Sequence, residues 1–290
     1  MQDTTLQAAV ERQLEVRGPW RWQALGEGVG STRWRVESSG GAWFVKGGDA
    51  DILAAEADGL KALAACGAMR VPRLHSEGVL DKGDGYLIME WLELSHGAST
   101  SGARLGEALA RQHLAPAPRF GWPCANFIGA TPQFNREGTD WAAFFREQRL
   151  GFQLRLAGED GHRGALQEEG ARLLEGLPRF FAGYAPSPAL LHGDLWGGNW
   201  GTVQDGGPVV FDPAVYRGDR EADLAMTELF GGFPESFYAA YNAHAPLDAG
   251  YRVRRDLYNL YHVLNHLNLF GGGYLGQALG LIRKLNAELG

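Results

Sequence analysis

The hydrophobic pattern changes near Leu92 from mainly strand-like to mainly helical, and that change limits the possible folds more than any other feature. Before Leu92, runs of β-type residues such as RWRVES and AWFVK alternate with glycine-rich turns, the first of which spans 26–30. One helical pattern interrupts these runs over 52–66 and stops at Gly67. After Leu92 the apolar residues recur mostly three and four positions apart, as they do in amphipathic helices.

The segregation of strands and helices predicts an α+β protein with two lobes. We expect a small antiparallel sheet, preceded by a helix from Leu6 to Val16, in residues 1–92 and a larger, mainly helical lobe in residues 93–290. The continuous apolar run YLIMEWLEL has the length of a strand buried on both faces, and it leads out of the first lobe. Because the boundary contains little Pro or Ser, we predict a short hinge between coupled lobes.

Helical spacing in the second lobe is clear in several segments, and one segment breaks it. The helical segments are SGARLGEALARQHL, TDWAAFFREQRLGFQLRLA, EEGARLLEGLPRFF, 222–230 and 254–270. The exception is PALLHGDLWGGNWGTVQDGGPVVFDP, in which short apolar stretches alternate with polar loops and paired glycines. The strongest candidates for chemistry lie in this exception.

The composition argues against several classes of function. A net charge of −7 disfavours a nucleic-acid partner, which normally meets a basic face. No stretch approaches the roughly 18 apolar residues of a membrane span, and the polar N-terminus is unlike a signal peptide, so we expect no membrane association and a cytoplasmic location. The two cysteines, Cys66 and Cys124, have neither disulfide-framework nor zinc-site spacing. Nothing in the sequence sets an oligomeric state.

The triplet His192-Gly193-Asp194 is followed by Asn199 and, after an apolar run, by Asp212. Phosphoryl transfer needs a carboxylate beside the attacking hydroxyl, and further oxygen ligands that hold Mg²⁺ across the phosphates. The protein-kinase pattern separates its catalytic Asp from its metal-binding Asn by five positions, as Asp194 and Asn199 are separated here. We therefore predict Asp194 as the catalytic base and Asn199 and Asp212 as Mg²⁺ ligands. The alternative, a simple glycine turn, accounts for neither Asn199 nor Asp212.

A second constellation lies upstream, where Gly26, Gly28 and Gly30 precede Lys46 at the end of the run Trp43-Phe44-Val45. Backbone N–H groups of a glycine turn approach phosphates closely, and a lysine on the next strand bridges the α- and β-phosphates of ATP. We therefore place Gly28, Gly30 and Lys46 at the nucleotide. The spacing departs from GxGxxG, and glycines in this pattern more often mark a hairpin.

Four further residues complete the predicted ATP site. Glu56, on the helix after Lys46, is placed to form an ion pair with that lysine, although a lone helical glutamate is usually just solvated. After the buried strand, the Glu90 carbonyl and the Leu92 amide are the expected partners of the adenine edge, with Met89 packed behind the ring. The order of these pieces along the chain carries more weight than any one of them.

Three segments together resemble the signature of the fructosamine kinases, or ketosamine-3-kinases: LLHGDLWGGNW, VVFDPAVYRGDREADLAMTELFGGFP and LYNLYHVLNHLNLFGGGY. The likeness extends to NFIGATPQFN, Trp141, Arg149-Leu150 and FVK at 44–46, and so covers nearly the whole chain. It implies a protein-kinase-like fold with a C-lobe of the aminoglycoside-phosphotransferase type. It also implies that ATP, with Mg²⁺, phosphorylates the 3-hydroxyl of a ketosamine and that Asp194 is the base.

The resemblance also implies what the reaction is for. The acceptor would be a small-molecule ketosamine or a glycated protein lysine, and the unstable 3-phosphate product would release the amine, which makes the reaction deglycation. Ribulosamine is the preferred sugar adduct by analogy with bacterial relatives. Some members carry a redox-active cysteine in the glycine loop, and this chain has none between Gly26 and Lys46.

Two residues are candidates for contacts with the acceptor. Trp196, two positions after Asp194, is placed to stack on the sugar, and a wedge against the core of the C-lobe is an equal alternative. His266 lies in a segment that lines the acceptor pocket in the family, although a histidine on an apolar helix is more often a hydrogen-bonded core residue. With His262 it forms HVLNH, which lacks the Glu of the zinc-peptidase motif.

The segment YRGDREADLA adds a candidate for positioning. We expect Asp219 to orient the catalytic loop, and we assign its charged neighbours, Arg220, Glu221 and Asp223, to a structural ion network.

Two alternatives to a ketosamine kinase remain open at the level of the sequence. One is a kinase for another alcohol, such as an aminoglycoside or choline; a polycationic antibiotic would call for an acidic acceptor cleft. The other is a non-catalytic pseudokinase, against which the complete set of Lys46, Asp194, Asn199 and Asp212 argues.

Overall fold

Five antiparallel strands form the sheet of the first lobe in the computed structural model, which describes residues 4–95 and 99–290. They are β1 (Arg21–Gly28), β2 (Ser31–Ser38), β3 (Gly41–Asp49), β4 (Leu74–Val79) and β5 (Asp84–Glu90). Their order across the sheet is β1-β2-β3-β5-β4. The most buried strands, β3 and β5, lie inside, and the polar β1 and β4 form the edges, where one side of the strand meets solvent.

Two helices cover the sheet, one on each face. Because alternate residues of a strand point to opposite faces, α1 (Thr4–Leu14) and α2 (Ala50–Cys66) meet different side chains of β3 and β5. The set under α1 includes Leu6, Val10, Val45 and Ile88, and the set under α2 includes Leu53, Leu60, Leu87 and Met89. The face that carries α2 is also the face of Lys46, and it turns towards the second lobe.

The ends of these helices follow local chemistry. The carboxylate of Asp49 caps α2 by accepting the N–H groups of Asp51 and Ile52 at 3.0 and 3.1 Å, and α2 stops before Gly67, as predicted. α1 ends two residues earlier than predicted, because Glu15 has a φ of 51° and leaves the helical region.

The glycine-rich segment differs from the turn predicted over 26–30. Gly26 and Gly28 belong to β1, which pairs with β2 around a bulge between Ala24 and Gly26, and only Val29 and Gly30 form the turn. The predicted site residues therefore lie in a β-hairpin with a two-residue turn, Gly28 as the last residue of β1 and Gly30 in the turn. Pairing with β2 satisfies the backbone hydrogen bonds of this glycine-rich segment, and this outweighs the low strand propensity of glycine.

The second lobe is mainly helical over the residues that the structure describes. Its α-helices are α3 (Ser99–Leu114), α4 (Trp141–Phe145), α5 (Gly151–Glu159), α6 (Ala165–Gly176), α7 (Glu221–Leu229), α8 (Glu235–His244), α9 (Tyr251–Phe270) and α10 (Leu275–Leu289). A π-helical turn joins α4 to α5 over Arg146–Leu150. The sequence patterns had indicated all of these except α8 and α10. In the described residues, 4–95 and 99–290, no helix combines the length and apolar character of a membrane span.

Three short two-stranded sheets lie between the helices and position the loops of the site. Their strands are β6 (Asn126–Ile128) with β7 (Thr131–Gln133), β8 (Ala189–Leu191) with β11 (Tyr216–Gly218), and β9 (Trp200–Thr202) with β10 (Pro208–Val210). With the five-stranded sheet in the first part of the chain and helices in the second, the predicted α+β class is confirmed. β5 ends at Glu90, close to the predicted hinge.

Arg149, in the π-helical turn, is fully buried and forms no ion pair with a carboxylate of the described residues. Its guanidinium donates to the carbonyl of Phe134 at 2.6 Å and to Oδ1 of Asn135 at 2.7 Å. It also lies 4.1 Å from the ring centroid of Tyr216, and such aromatic faces partly replace an anionic partner. Asn135 in turn donates to Oδ1 of Asn126 at 2.8 Å, so Arg149 anchors the β6–β7 hairpin.

Replacing this buried cation tests its structural role. Arg149→Met should lower the free energy of unfolding by about 2 kcal/mol, because two buried acceptors lose their donor. Arg155→Met is the matched control, since Arg155 lies over the ring of Phe152 and makes no hydrogen bond within the described residues. Chemical denaturation of both variants measures the difference, and equal stability of the two would show that Arg149 does not hold the hairpin.

Candidate active site

The loop between β8 and β9 carries His192, Gly193, Asp194 and Asn199, and α7 holds it in place. The carboxylate of Asp223, on α7, accepts the N–H of His192 at 2.7 Å and that of Gly193 at 2.9 Å. Our assignment of this role to Asp219 was wrong. The carboxylate of Asp219 instead accepts the N–H of Glu221 and the hydroxyl groups of Tyr184 and Tyr258.

Asp223 is itself fixed by a second buried group that the sequence analysis did not identify. His113, on α3, lies with Nε2 3.2 Å from Oδ2 of Asp223 and Nδ1 2.9 Å from the hydroxyl of Tyr241. Burial works against ionisation of Asp223, but its hydrogen bond and electrostatic interaction with His113 outweigh it, so the pKa of Asp223 is lowered. The loop is therefore attached to a carboxylate that stays ionised. The predicted structural ion network does hold Glu221, whose carboxylate pairs with Arg254 at 2.7 Å.

Only glycine fits between His192 and Asp194. Gly193 has a φ of 83°, and a Cβ atom there would lie 2.0 Å from the carbonyl oxygen of Ala214. Both the backbone conformation and the close approach exclude a side chain. Protein kinases have arginine at this position. Here the backbone of Ala214, in the segment after Asp212, lies too close to leave room for any side chain.

His192 joins the catalytic loop to the segment that precedes Asp212. Its Nε2 lies 3.1 Å from the carbonyl oxygen of Phe211, and its Nδ1 lies 3.3 Å from the amide nitrogen of Asp194. Burial lowers the pKa of His192, so the ring is neutral, with Nε2–H as donor and Nδ1 as acceptor. A neutral imidazole of this tautomer satisfies both neighbours at once.

The carboxylate of Asp194 is paired with Asn199 rather than with a cation. Nδ2 of Asn199 donates to the Asp194 carbonyl at 2.8 Å and to its Oδ2 at 3.1 Å. Burial, followed by the charge of Asp212, raises the pKa of Asp194 to about 7, while the hydrogen bond from Asn199 opposes the shift. Such a shift gives this carboxylate the basicity of a proton acceptor near neutral pH.

Lys46 brings the two lobes together at Asp212. Its Nζ lies 2.8 and 2.7 Å from the two carboxylate oxygens of Glu56 and 2.7 Å from Oδ1 of Asp212. Burial alone would lower the pKa of Lys46, but Glu56 and then Asp212 outweigh it and raise that pKa. Asp212 has a φ of 55°, a conformation that is uncommon outside glycine and is typical of functional positions.

The donors beside Asp194 fit a magnesium ion. Because Asn199 uses its amide nitrogen as a donor to Asp194, its Oδ1 has no hydrogen-bond partner among the described residues. That oxygen and the Asp212 carboxylate are hard ligands of the kind Mg²⁺ takes, usually with waters and substrate phosphates.

A cavity of about 390 Å³ lies between the sheet and the loop before Asp212. Leu25, Phe44 and Phe211 give it apolar walls, and the predicted adenine contacts Met89, Glu90 and Leu92 line it together with Trp91. Its size and lining resemble those of small-molecule sites in general. The side chain of Glu90 lies outward, where Oε1 accepts the N–H of Arg73 at 2.9 Å.

A second cavity, of about 470 Å³, lies on the other side of Asp212. Its walls include the predicted acceptor residues Trp196 and His266, and Trp196 is 38% exposed, which is more than a wedge in the core would be. The ring of His266 lies 4.8–5.4 Å from the rings of Phe230, Phe270 and Tyr274. Nδ1 of His266 lies 2.8 Å from the carbonyl oxygen of His262. His266 therefore also has the hydrogen bond expected of a histidine in a helical core.

The two cavities meet at a small set of shared residues: Arg33, Trp196, Asn199 and Asp212. Asp194 lines the second cavity only, and Lys46 and Glu56 lie at the same end of it. Among the described residues, the carboxylates that line the second cavity are those of Glu56, Asp194 and Asp212, and none of them lies at the aromatic end, beside His266. The predicted Gly28 and Gly30 line neither cavity, whereas the neighbouring Val29 and Ser31 line the second.

The attachment of the loop to α7 can be tested without any substrate. Asp223→Asn should raise the exchange rates of the His192 and Gly193 amide hydrogens at least about tenfold, because an amide cannot accept from both N–H groups and His113 together. Glu228→Gln, also on α7, should leave those rates unchanged, since Glu228 pairs with Arg255, away from the loop. NMR hydrogen exchange measures both. Unchanged exchange in Asp223→Asn would mean that other contacts hold the loop.

Comparison with known proteins shows which family the chain resembles. The sequence model of the fructosamine kinase family matches residues 4–288. The chain is 42% identical to a probable ketoamine kinase of Synechocystis sp. over 93% of this chain and 99% of that protein. It is 40% identical to the chloroplastic protein-ribulosamine 3-kinase of Arabidopsis thaliana over 89% of this chain and 80% of that protein.

Solved structures agree with the sequence relatives. A Haemophilus somnus protein provisionally named fructosamine-3-kinase superposes with a TM-score of 0.88 at 29% identity and covers 97% of this chain and 96% of its own. A thermostable mutant of an aminoglycoside phosphotransferase has a TM-score of 0.66 at 15% identity over 96% of this chain and 97% of its own, a likeness of fold alone. The predicted bilobal, kinase-like fold is thereby confirmed, and the chain belongs to the fructosamine kinase family.

Proposed function

We propose that this protein transfers the terminal phosphoryl group of ATP to the 3-hydroxyl of a ketosamine. One observation carries the proposal: two cavities meet at Asn199 and Asp212, and Asp194 faces only the second of them. A donor in the first cavity and an acceptor in the second would meet beside a carboxylate of raised pKa. The names of the relatives, ketoamine kinase and protein-ribulosamine 3-kinase, support this acceptor class.

The first cavity would hold the adenine end of the nucleotide, and the phosphates would reach the end of the second cavity that Lys46 and Glu56 line. The Glu90 carbonyl and the Leu92 amide would bond the adenine edge, with Met89 behind the ring. Lys46, held by Glu56, would anchor the α- and β-phosphates, and the hairpin of Gly28 and Gly30 would cover them. Asn199 and Asp212 would hold Mg²⁺, which supplies positive charge against the phosphate oxygens when it is bound.

Asp194 would act on the acceptor hydroxyl. A bond forms from the hydroxyl oxygen to the γ-phosphorus, and the bond from that phosphorus to the β–γ bridging oxygen breaks, its electron pair leaving with ADP. The hydroxyl proton passes to a carboxylate oxygen of Asp194. Asn199 holds that carboxylate in place, and most of the rate gain would come from alignment and fixed charges.

The second cavity would hold the ketosamine. Trp196 is placed to stack on the sugar and His266 to contact the acceptor from the aromatic end. Because no carboxylate lies at that end, the cavity lacks the charges that a polycationic aminoglycoside needs. We take a ribulosamine, free or on a protein lysine, as the preferred substrate, with deglycation as the outcome and the cytoplasm as the location.

Coupled measurement of ADP release tests the proposal directly. With Mg·ATP, turnover should depend on ribuloselysine or fructoselysine and should be absent with kanamycin and choline. Asp194→Asn should reduce kcat at least about a thousandfold, because the variant lacks the proton acceptor while its amide preserves the shape of the site.

Asp205→Asn is the control, since Asp205 lies in the exposed turn between β9 and β10. Turnover only with kanamycin or choline would move the protein to another acceptor class. Nucleotide binding without any turnover would mean a pseudokinase.

Trp196 provides a test of the acceptor cavity. Trp196→Leu should raise KM for the ketosamine about tenfold, the effect expected when a stacking contact of roughly 1.4 kcal/mol is lost. KM for ATP should change less. Phe134→Leu, at another exposed aromatic residue of the second lobe, should change neither KM. Equal rises in both KM values for Trp196→Leu would contradict the assignment to the acceptor.

A further inference from the structure

Arg33 is a cation whose position in the sheet calls for an anion. It lies on β2 directly opposite Lys46 of β3, and neighbours across an antiparallel pair point to the same face. Two positive charges therefore face the cleft side by side, an arrangement that destabilises a sheet unless negative charge lies between them. Glu56 and Asp212 both pair with Lys46, whereas Arg33 has only the longer contact of its Nη2 with Oδ2 of Asp212, at 3.6 Å.

The guanidinium of Arg33 has donors to spare. It makes no hydrogen bond to any residue in 4–95 or 99–290, and its buried Nε has no partner. A guanidinium carries five N–H donors in a planar fork that matches the oxygens of a phosphate. Arg35, two positions further along the same face of β2, differs: it lies 4.5 Å over the ring of Trp91 and pairs with Glu37 at 2.7 Å.

The β1–β2 hairpin leaves room for this side chain. A Cβ atom on Gly28 would lie 2.4 Å from Nη2 of Arg33, so the guanidinium runs directly against the backbone of β1. The guanidinium of Arg33 fills the space that the absence of a side chain at Gly28 leaves. Any side chain at position 28 would displace the guanidinium from the cleft.

The guanidinium also lies where the donor and the acceptor would meet. Arg33 lines both cavities, as do Trp196, Asn199 and Asp212. The group that is transferred would pass from one cavity to the other where they meet. The guanidinium of Arg33, with its unpartnered donors, lies there beside Asn199 and Asp212.

We propose that Arg33 binds the γ-phosphoryl group of ATP and stabilises the charge on its oxygens during transfer, an inference that rests on the proposed function. When Mg²⁺ is bound, Asp212 would help to hold it, and the guanidinium of Arg33 would be free to donate to two phosphoryl oxygens. Arg33 itself neither gains nor loses a proton. It adds to Lys46 a second positive charge in the same chain, in the manner of an arginine supplied in cis.

Binding of two nucleotides separates this role from a structural one. The probes are Mg·AMP-PNP and Mg·ADP, which differ by the γ-group, and the readout is the ratio of their affinities by calorimetry. Arg33→Met should reduce the preference for AMP-PNP at least tenfold, with little effect on ADP. It should also lower kcat with a ketosamine about a hundredfold, the usual effect of losing one donor to developing charge. Arg33→Lys should be intermediate, because it keeps the charge and loses the fork.

Arg35→Met is the matched control and should keep the wild-type ratio. If Arg33→Met also keeps it, the inference is overturned while the kinase assignment stands. If the wild type shows no turnover with a ketosamine but Arg33→Met loses the preference for AMP-PNP, the assignment of the acceptor fails and the role of Arg33 stands. If the wild type does not distinguish AMP-PNP from ADP, the inference is wrong.

Discussion

The ammonium group of Lys46, held between Glu56 and Asp212, is the interaction on which the relation of the two lobes depends. The Lys46 side chain is only 4% exposed, so its charge has almost no water to stabilise it. Burial of a charge costs several kcal/mol unless partners replace the water, and here two carboxylates do so, one from α2 and one from the segment after β10. Removing either carboxylate would leave a buried charge short of a partner. The cleft face of the sheet is thereby tied to the segment of the second lobe that carries Asp212.

A different principle holds the catalytic loop itself. Its backbone N–H groups are bonded to Asp223, its glycine fits against Ala214, and its histidine bridges to Phe211. These contacts place the Asp194 carboxylate before any substrate binds. A site whose dipoles and charges are positioned in advance needs little reorganisation during the reaction, which is the main advantage of an enzyme over water in phosphoryl transfer. The positive φ of Asp212 is the local strain that accompanies this placement.

Much of the fold was predictable because its signals are local. The capped helix α2, the buried strand β5 and the helices α3, α7 and α9 each have a pattern contained within one segment, and each lies close to where that pattern indicated. The strand β1 was misread because two of its residues are glycines, whose pairing with β2 decides their conformation. The helices α8 and α10 were missed. For α8 at least, tertiary packing is decisive, since its Phe237 and Tyr241 are buried in one cluster with Leu105 and Leu109 of α3.

The sequence by itself determined the order and spacing of the reactive groups: Lys46, Glu56, Asp194, Asn199 and Asp212. That spacing points to phosphoryl transfer because chemistry restricts which residue types can hold magnesium and accept a proton. Tertiary structure alone decided which aspartate, Asp219 or Asp223, holds the catalytic loop. The two lie four positions apart on one short segment and have the same side chain, so the sequence does not distinguish them. The tertiary structure also decided that Arg33 lies in the cleft and that Arg149 lies buried without a carboxylate partner in residues 4–95 and 99–290. From sequence alone an arginine is expected to lie at the surface, in water. Whether it is buried depends on which distant elements pack around it, and only the tertiary structure shows that.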